Sequence, residues 1–184
     1  MIKSLSASLI LLLFLFFGCS LDYQAAMGED TLSEDIPDMI MSGFNHVVFS
    51  GGTPSFRLYA GEAQSYTKIK KTLLTDVFFQ EMDAEGKVIT EGSATKAVFF
   101  TDTENAEFSG DIKVYSLKEE TFITTDYLYW NDAERLLTGP EEGWVHLKQD
   151  SGTELEGIGF VGDLSSKTFF FSKDVSGVYV FEEE

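Results

Sequence analysis

The sequence predicts an all-β fold, an elongated stack of antiparallel strands, on three observations. First, a β-branched residue recurs at Val77, Ile112, Val145 and Val178 at a spacing of roughly 34 residues. Ahead of these lie Ala63 with Tyr66, Ala97 with Phe100, Leu128 with Trp130, and Phe160. A period of that size marks stacked units, none of which can bury its apolar face alone. Second, short runs with period-two alternation are separated by Gly- and Asp-rich turns, and almost no segment shows helical periodicity. Third, aromatics make up 14% of the chain and often adjoin, as in Phe78-Phe79, Phe99-Phe100 and Phe169-Phe170-Phe171. Adjacent strand residues face opposite sides of a sheet, so both faces need cover.

The 184 residues suit one domain after an N-terminal export segment. Residues 1–18 read as a signal peptide: Lys3 gives a positive start, and Leu9 to Phe17 form an apolar run too short for a comfortable membrane span. The run ends Phe16-Phe17-Gly18-Cys19, which resembles a lipobox, so Cys19 is expected to be lipidated. The two Phe residues depart from the usual lipobox pattern. Cys19 is the single Cys, so no internal disulfide can form and the domain must hold together by packing. Residues 19–35 are polar and acidic and read as a flexible tether. Pro37 marks the start of the domain, 36–184.

Within that domain the strand signals run in order. His46 to Phe49 is followed by the turn Ser50 to Pro54, and then Phe56 to Ala60 places Phe56, Leu58 and Ala60 on one face. Ala60 to Lys71 has some helical character, but the alternation of Ala63, Ser65 and Thr67 favours strand, with the basic Lys68 to Lys71 at a hairpin tip. Asp76 to Met82 leads into a turn closed by Gly86. Further strands are Lys96 to Thr101, Asp111 to Leu117, Thr124 to Trp130, Trp144 to Lys148, Glu154 to Phe160, Lys167 to Ser172 and Val175 to Phe181. Turns fall at Asn131 to Glu134 and Gln149 to Gly152.

Little in the chain points to catalysis. His46 and His146 are far apart in sequence, and no nucleophile elbow, HExxH pair, CxxC or phosphate-binding Gly loop is present. Asp102, Glu104 and Glu107 could hold Ca²⁺ but lack EF-hand spacing and read better as a solvated acidic turn. No cofactor and no metal is expected. The net charge of −18 disfavours nucleic acid and anionic headgroups as partners. Alternation gives an inner face that includes Phe56, Leu58, Phe99, Ile112, Val114, Leu128, Val145 and Leu147. The pattern alone does not separate a core filled by its own side chains from a sandwich opened for acyl chains.

Several segments in order carry a resemblance: Ile36-Pro37-Asp38, Pro54 through Ala63, Phe108 through Val114, Thr125 through Trp130 and Glu156 through Phe160. Together they resemble the LptC family of lipopolysaccharide-export proteins and the related OstA-like domain. No single segment is specific; their order and spacing carry the likeness. The resemblance implies a twisted, open β-jellyroll without enzymatic activity, in which lipid A acyl chains lie in an apolar groove. Its lining would include Phe56, Leu58, Ala60, Phe99, Ile112, Val114, Leu128, Val145 and Leu147, and Gly110, Gly157 and Gly159 would fall on the family's glycine steps. The implied partners are lipopolysaccharide or a related glycolipid, the subunits of an inner-membrane ABC transporter, and a periplasmic LptA-like protein joined by β-strand addition. The family's N-terminal transmembrane helix would here be replaced by a lipid anchor at Cys19. The anchor would sit on the periplasmic side of the inner membrane, although Ser20 is an outer-membrane sorting signal in enteric bacteria. The alternative is an acidic envelope lipoprotein whose closed β core serves as a ligand-free scaffold. A fatty-acid-binding barrel is a weaker third option.

Overall fold

The computed structural model describes residues 36–180; the leader, Cys19, the tether and the extreme C-terminus lie outside them. Ten strands follow in chain order: β1 (Met39–Ser50), β2 (Thr53–Tyr66), β3 (Lys71–Met82), β4 (Val88–Phe100), β5 (Ala106–Ser116), β6 (Thr121–Asn131), β7 (Leu136–Thr138), β8 (Trp144–Gln149), β9 (Glu154–Asp163) and β10 (Thr168–Val178). They form one antiparallel sheet in the order β1-β2-β3-β4-β5-β6-β7-β9-β10, with β8 pairing β6 and β9. The all-β prediction holds, and no helix is found among the described residues.

A crease crosses this sheet from edge to edge. Pairing of β2 with β3 runs to Tyr59↔Phe78 and resumes at Glu62↔Thr75. The register likewise breaks between Ser93 and Lys96 in β4, between Ser109 and Ile112 in β5, and between Lys173 and Ser176 in β10. Left-handed backbone marks the line: Gly43 (φ 64°), Asp76 (52°), Gly110 (77°), Asp111 (46°), Gly159 (67°) and Asp174 (53°). Glycine, and more weakly Asp, tolerate that region, and an inserted residue there makes a bulge that bends the strand. On the line itself the chain leaves the sheet between β7 and β8 through Gly139-Pro140-Glu141-Glu142-Gly143. β7 pairs β6 and β9 on one side of the crease and β8 pairs them on the other. The two are thus halves of one interrupted strand.

The bend folds the sheet into two facing layers. Phe79 pairs with Gly92 and Ala97 with Phe108, so on a flat sheet Phe79 and Phe108 would stand two strands and five residues apart, roughly 19 Å between Cα atoms. Their ring centroids are 5.9 Å apart. Burial supports the same picture, because Ile112, Leu128 and Val145 are 2%, 2% and 0% exposed, which one uncovered layer cannot achieve. Two clusters fill the interior. Ala60, Ala63, Leu74, Val77 and Ala97 form one, and Ala94, Ile112, Leu128, Val145, Leu147 and Phe160 form the other, with Phe108 packed against both.

Several boundaries differ from the sequence reading. β1 begins at Met39 and β4 at Val88, ahead of the runs His46 to Phe49 and Lys96 to Thr101, because both early halves are mostly polar or exposed. The two segments Lys167 to Ser172 and Val175 to Phe181 are one strand, bulged at Asp174. β7 was missed, being three residues long. Val178, the fourth member of the periodic set, is also displaced from its expected place. Val77 and Ile112 directly follow the bulge residues Asp76 and Asp111, and on β10 the residue that follows Asp174 is Val175. Val178 instead pairs with Glu154 at the strand end and is 63% exposed.

Candidate functional site

By register, all nine residues expected to line a groove share the inner face. One row across the sheet reads Leu58, Phe79, Gly92, Val114, Ile123, Leu147 and Leu155. Ala60, Ile112 and Val145 lie one step nearer the crease and Phe56 one step further out, whereas Leu128 and Phe99 belong to the other layer. Their exposures separate them. Ala60, Ile112, Leu128, Val145 and Leu147 are buried, Phe56, Leu58 and Val114 are half-buried, and Phe99 is exposed beside the turn at 101–105. The interior at rest is therefore closed by its own side chains, and an acyl chain reaches the central positions only if the layers part.

Of the residues that do the closing, sequence reasoning placed only Phe56 in the lining. Phe56, Phe79 and Phe108 form one ring group, with centroids 6.2 and 5.9 Å apart. Phe160, Phe169 and Phe171 form a second, at 5.5 to 6.3 Å. Ala63, Leu74, Ala94 and Ala97 were also left out of the candidate lining. A sequence signal for them exists. The buried pairs Ala60/Ala63, Leu74/Val77, Ala94/Ala97 and Thr125/Leu128 are three apart, which shows an extra residue inserted in each strand at the crease.

The expected glycine steps each carry a backbone demand. Gly110 and Gly159 have left-handed φ, and a Cβ on Gly159 would come within 2.0 Å of the Ser172 hydroxyl. Gly157 has ordinary φ, but a Cβ there would meet the Phe171 ring at 2.7 Å.

Among the described residues, both ends of the strand path are open. β1 and β10 each pair with a single neighbour. β1 carries no Asp, Glu, Lys or Arg, and Ile40 (58%) and Phe49 (63%) stand exposed on it. β10 exposes Phe169, Phe170 and Val175, with its charged residues Lys173 and Asp174 confined to the bulge. Natural edge strands are ordinarily protected by charge, Pro or brevity, and a long apolar edge is a template for another strand.

The opposite face is polar. His146 Nδ1 lies 2.9 Å from Glu156, which also accepts a hydrogen bond from Ser176 Oγ at 2.9 Å. Lys148 is paired to Glu154, which raises the lysine pKa. These residues line a shallow depression of about 650 Å³ together with Phe122 and Thr124. Phe122 stacks on Tyr115, whose pKa is raised chiefly by its hydrogen bond to Asp150. Burial, followed by Glu107, raises that of Tyr127. His46, by contrast, lies on β1 opposite Leu58 at the end of the inner-face row, stacked beside Phe44, so the two histidines serve separate places. Of the acidic trio, Asp102 sits 3.9 Å from Lys70 and Glu107 lies against Tyr127.

Two comparisons bear on this geometry. A family model described as lipopolysaccharide-assembly, LptC-related, matches residues 8–180. The fold is similar to the crystal structure of LptH, the LptA-homologous periplasmic component of the lipopolysaccharide transport device from Pseudomonas aeruginosa. The TM-score is 0.53 at 11% identity, over 68% of this chain and 94% of that chain. No curated protein matches the chain at significant similarity. At that identity the likeness to LptH shows the jellyroll fold alone.

Proposed function

This chain belongs to the LptC family of lipopolysaccharide-assembly proteins, and from that membership we propose that it relays glycolipid through the space between its two sheet layers. The family is a non-enzymatic, periplasmic part of lipopolysaccharide transport, which sets the function class. Within that class, the chain receives lipopolysaccharide or a related glycolipid from an inner-membrane ABC transporter and passes it to an LptA-like jellyroll protein. Cys19 tethers it by a lipid anchor, on the inner membrane, at the end of the 19–35 linker.

The observation that carries this reading is the course of the largely apolar inner face, which runs from β1 to β10, two long strands that each have a single neighbour among the described residues and expose large apolar side chains. A partner strand added at either edge extends the sheet and its inner face together. The acidic surface then serves to keep the phosphorylated headgroup outside, since like charges repel it from the sheet. A ligand-free scaffold would need the closed interior but neither open edge.

The edges are tested with Ile40→Lys/Phe49→Lys on β1 and Phe170→Lys/Val178→Lys on β10, all at exposed positions. Each pair leaves stability within about 0.5 kcal/mol. One pair abolishes capture of a purified cognate LptA-like protein, and the other pair leaves that capture intact. Capture that persists with both edges charged contradicts the strand-addition arrangement.

A further inference from the structure

The two ring groups stand at the two ends of the inner face, and both bridge the crease. Phe56 and Phe79 lie in one layer and Phe108 in the other. Phe171 pairs with Phe160 in one layer, yet its ring lies over Gly157 in the other. Between the groups the interior is aliphatic: Ala94, Ile112, Leu128, Val145 and Leu147.

In each group one ring rests on bare backbone. A Cβ on Gly92 would come within 2.5 Å of the Phe79 ring, and one on Gly157 within 2.7 Å of the Phe171 ring. Each ring thus fills a slot where neighbouring strands carry a side chain of their own. A ring that swings to another staggered rotamer leaves a flat apolar trough floored by glycine. Both rings are half-buried, and neither carries a polar atom that ties it in place. Rotation therefore costs packing but no hydrogen bond. The slot left behind suits a methylene chain, which has about the thickness of an aromatic ring and the same indifference to hydrogen bonding.

We propose that Phe79 and Phe171 are the gating residues of the lipid passage: each ring closes the space between the layers at rest and is replaced there by an acyl chain as glycolipid enters or leaves. This rests on the relay reading above and adds to it the positions at which passage is controlled. The gates stand toward opposite edges, Phe79 on β3 near the β1 end and Phe171 on the terminal strand β10. The aliphatic stretch between them is the holding compartment.

The test places a photoreactive amino acid at Leu147, between the gates, in the full chain, and follows the rate of adduct formation with lipopolysaccharide micelles. Phe79→Leu and Phe171→Leu each raise that rate severalfold, and the double variant raises it further. Phe122→Leu, on the outer face against Tyr115, leaves the rate at the wild-type level and controls for general loosening. Phe79→Met and Phe171→Met, whose unbranched side chains adapt to irregular packing, serve where a leucine variant shifts the urea midpoint. Adducts at Leu147 that form at one rate in all variants overturn the gates while leaving the relay intact. An equal rise in Phe122→Leu also overturns them. Absence of adducts in every variant, the double included, overturns the relay itself.

Discussion

Replacing Gly159 by Ala tests the crease at the place where two separate costs meet. Gly159 has φ 67°, where a Cβ costs about 1–2 kcal/mol in backbone strain. The added carbon also lies 2.0 Å from Ser172 Oγ and 3.1 Å from Ser172 Cβ, an overpacking that costs about 1–3 kcal/mol. The sum is about 2–5 kcal/mol, or a fall in urea midpoint of about 1–2 M at the denaturant slope usual for a domain of this size. Two companions separate the parts. Gly51 has φ 59° with nothing within 4 Å of its Cβ position, so Gly51→Ala shows the strain alone, about 1 kcal/mol. Adding Ser172→Ala to Gly159→Ala removes the nearest clash and recovers most of the overpacking share. Unfolding in urea followed by the fluorescence of Trp130 and Trp144 reads all four proteins. A Gly159→Ala midpoint equal to wild type refutes the bulge, and a double variant no better than the single refutes the close approach.

Four other substitutions probe the packing and the turns. Ile112→Ala, at a site 2% exposed, loses about 2–5 kcal/mol, and Val114→Ala, half-buried on the same strand, loses less when both are compared by urea midpoint. Thr125 is buried and donates its hydroxyl to the carbonyl of Trp144 at 3.0 Å, so Thr125→Val costs about 1–3 kcal/mol and weakens hydrogen-exchange protection at the start of β8. The Asp163 carboxylate accepts the backbone N–H groups of Ser166 and Ser165, which hold its pKa below the ordinary value of 3.8. Its stabilisation is therefore complete above that value and is lost as the pH falls through the lower folded one. Measured on the β9–β10 turn by exchange, Asp163→Asn removes this loss on acidification, and a wild-type turn equally protected at every acid pH refutes it.

Strands were legible in this sequence wherever alternation ran unbroken, as in Thr124 to Trp130 and Trp144 to Lys148. The fold was legible through the segment order that resembles the family. The crease was not read, because period-two reasoning fails where a strand gains a residue. Ala60 and Ala63 both point inward, and their spacing of three is what lent Ala60 to Lys71 its helical character. The break at Lys173-Asp174 divided β10 for the same reason. On the inner face, hydrophobicity and alternation picked out Ile112, Leu128 and Val145, whose burial they dictate. Ala63, Ala94, Ala97 and the rings above Gly92 and Gly157 were missed. Their role depends on which strands face each other across the bend, which no local window contains.

The proposed relay takes acyl chains between the layers, at positions that are sealed in the resting structure. Photoreactive residues at Ile112 and Val145 on the inner face, and at Ser93 and Thr124 on the outer face, test this in cells. Passage between the layers gives glycolipid adducts from Ile112 and Val145 and none from Ser93 and Thr124. Adducts confined to the outer-face positions, or absent from all four, contradict it.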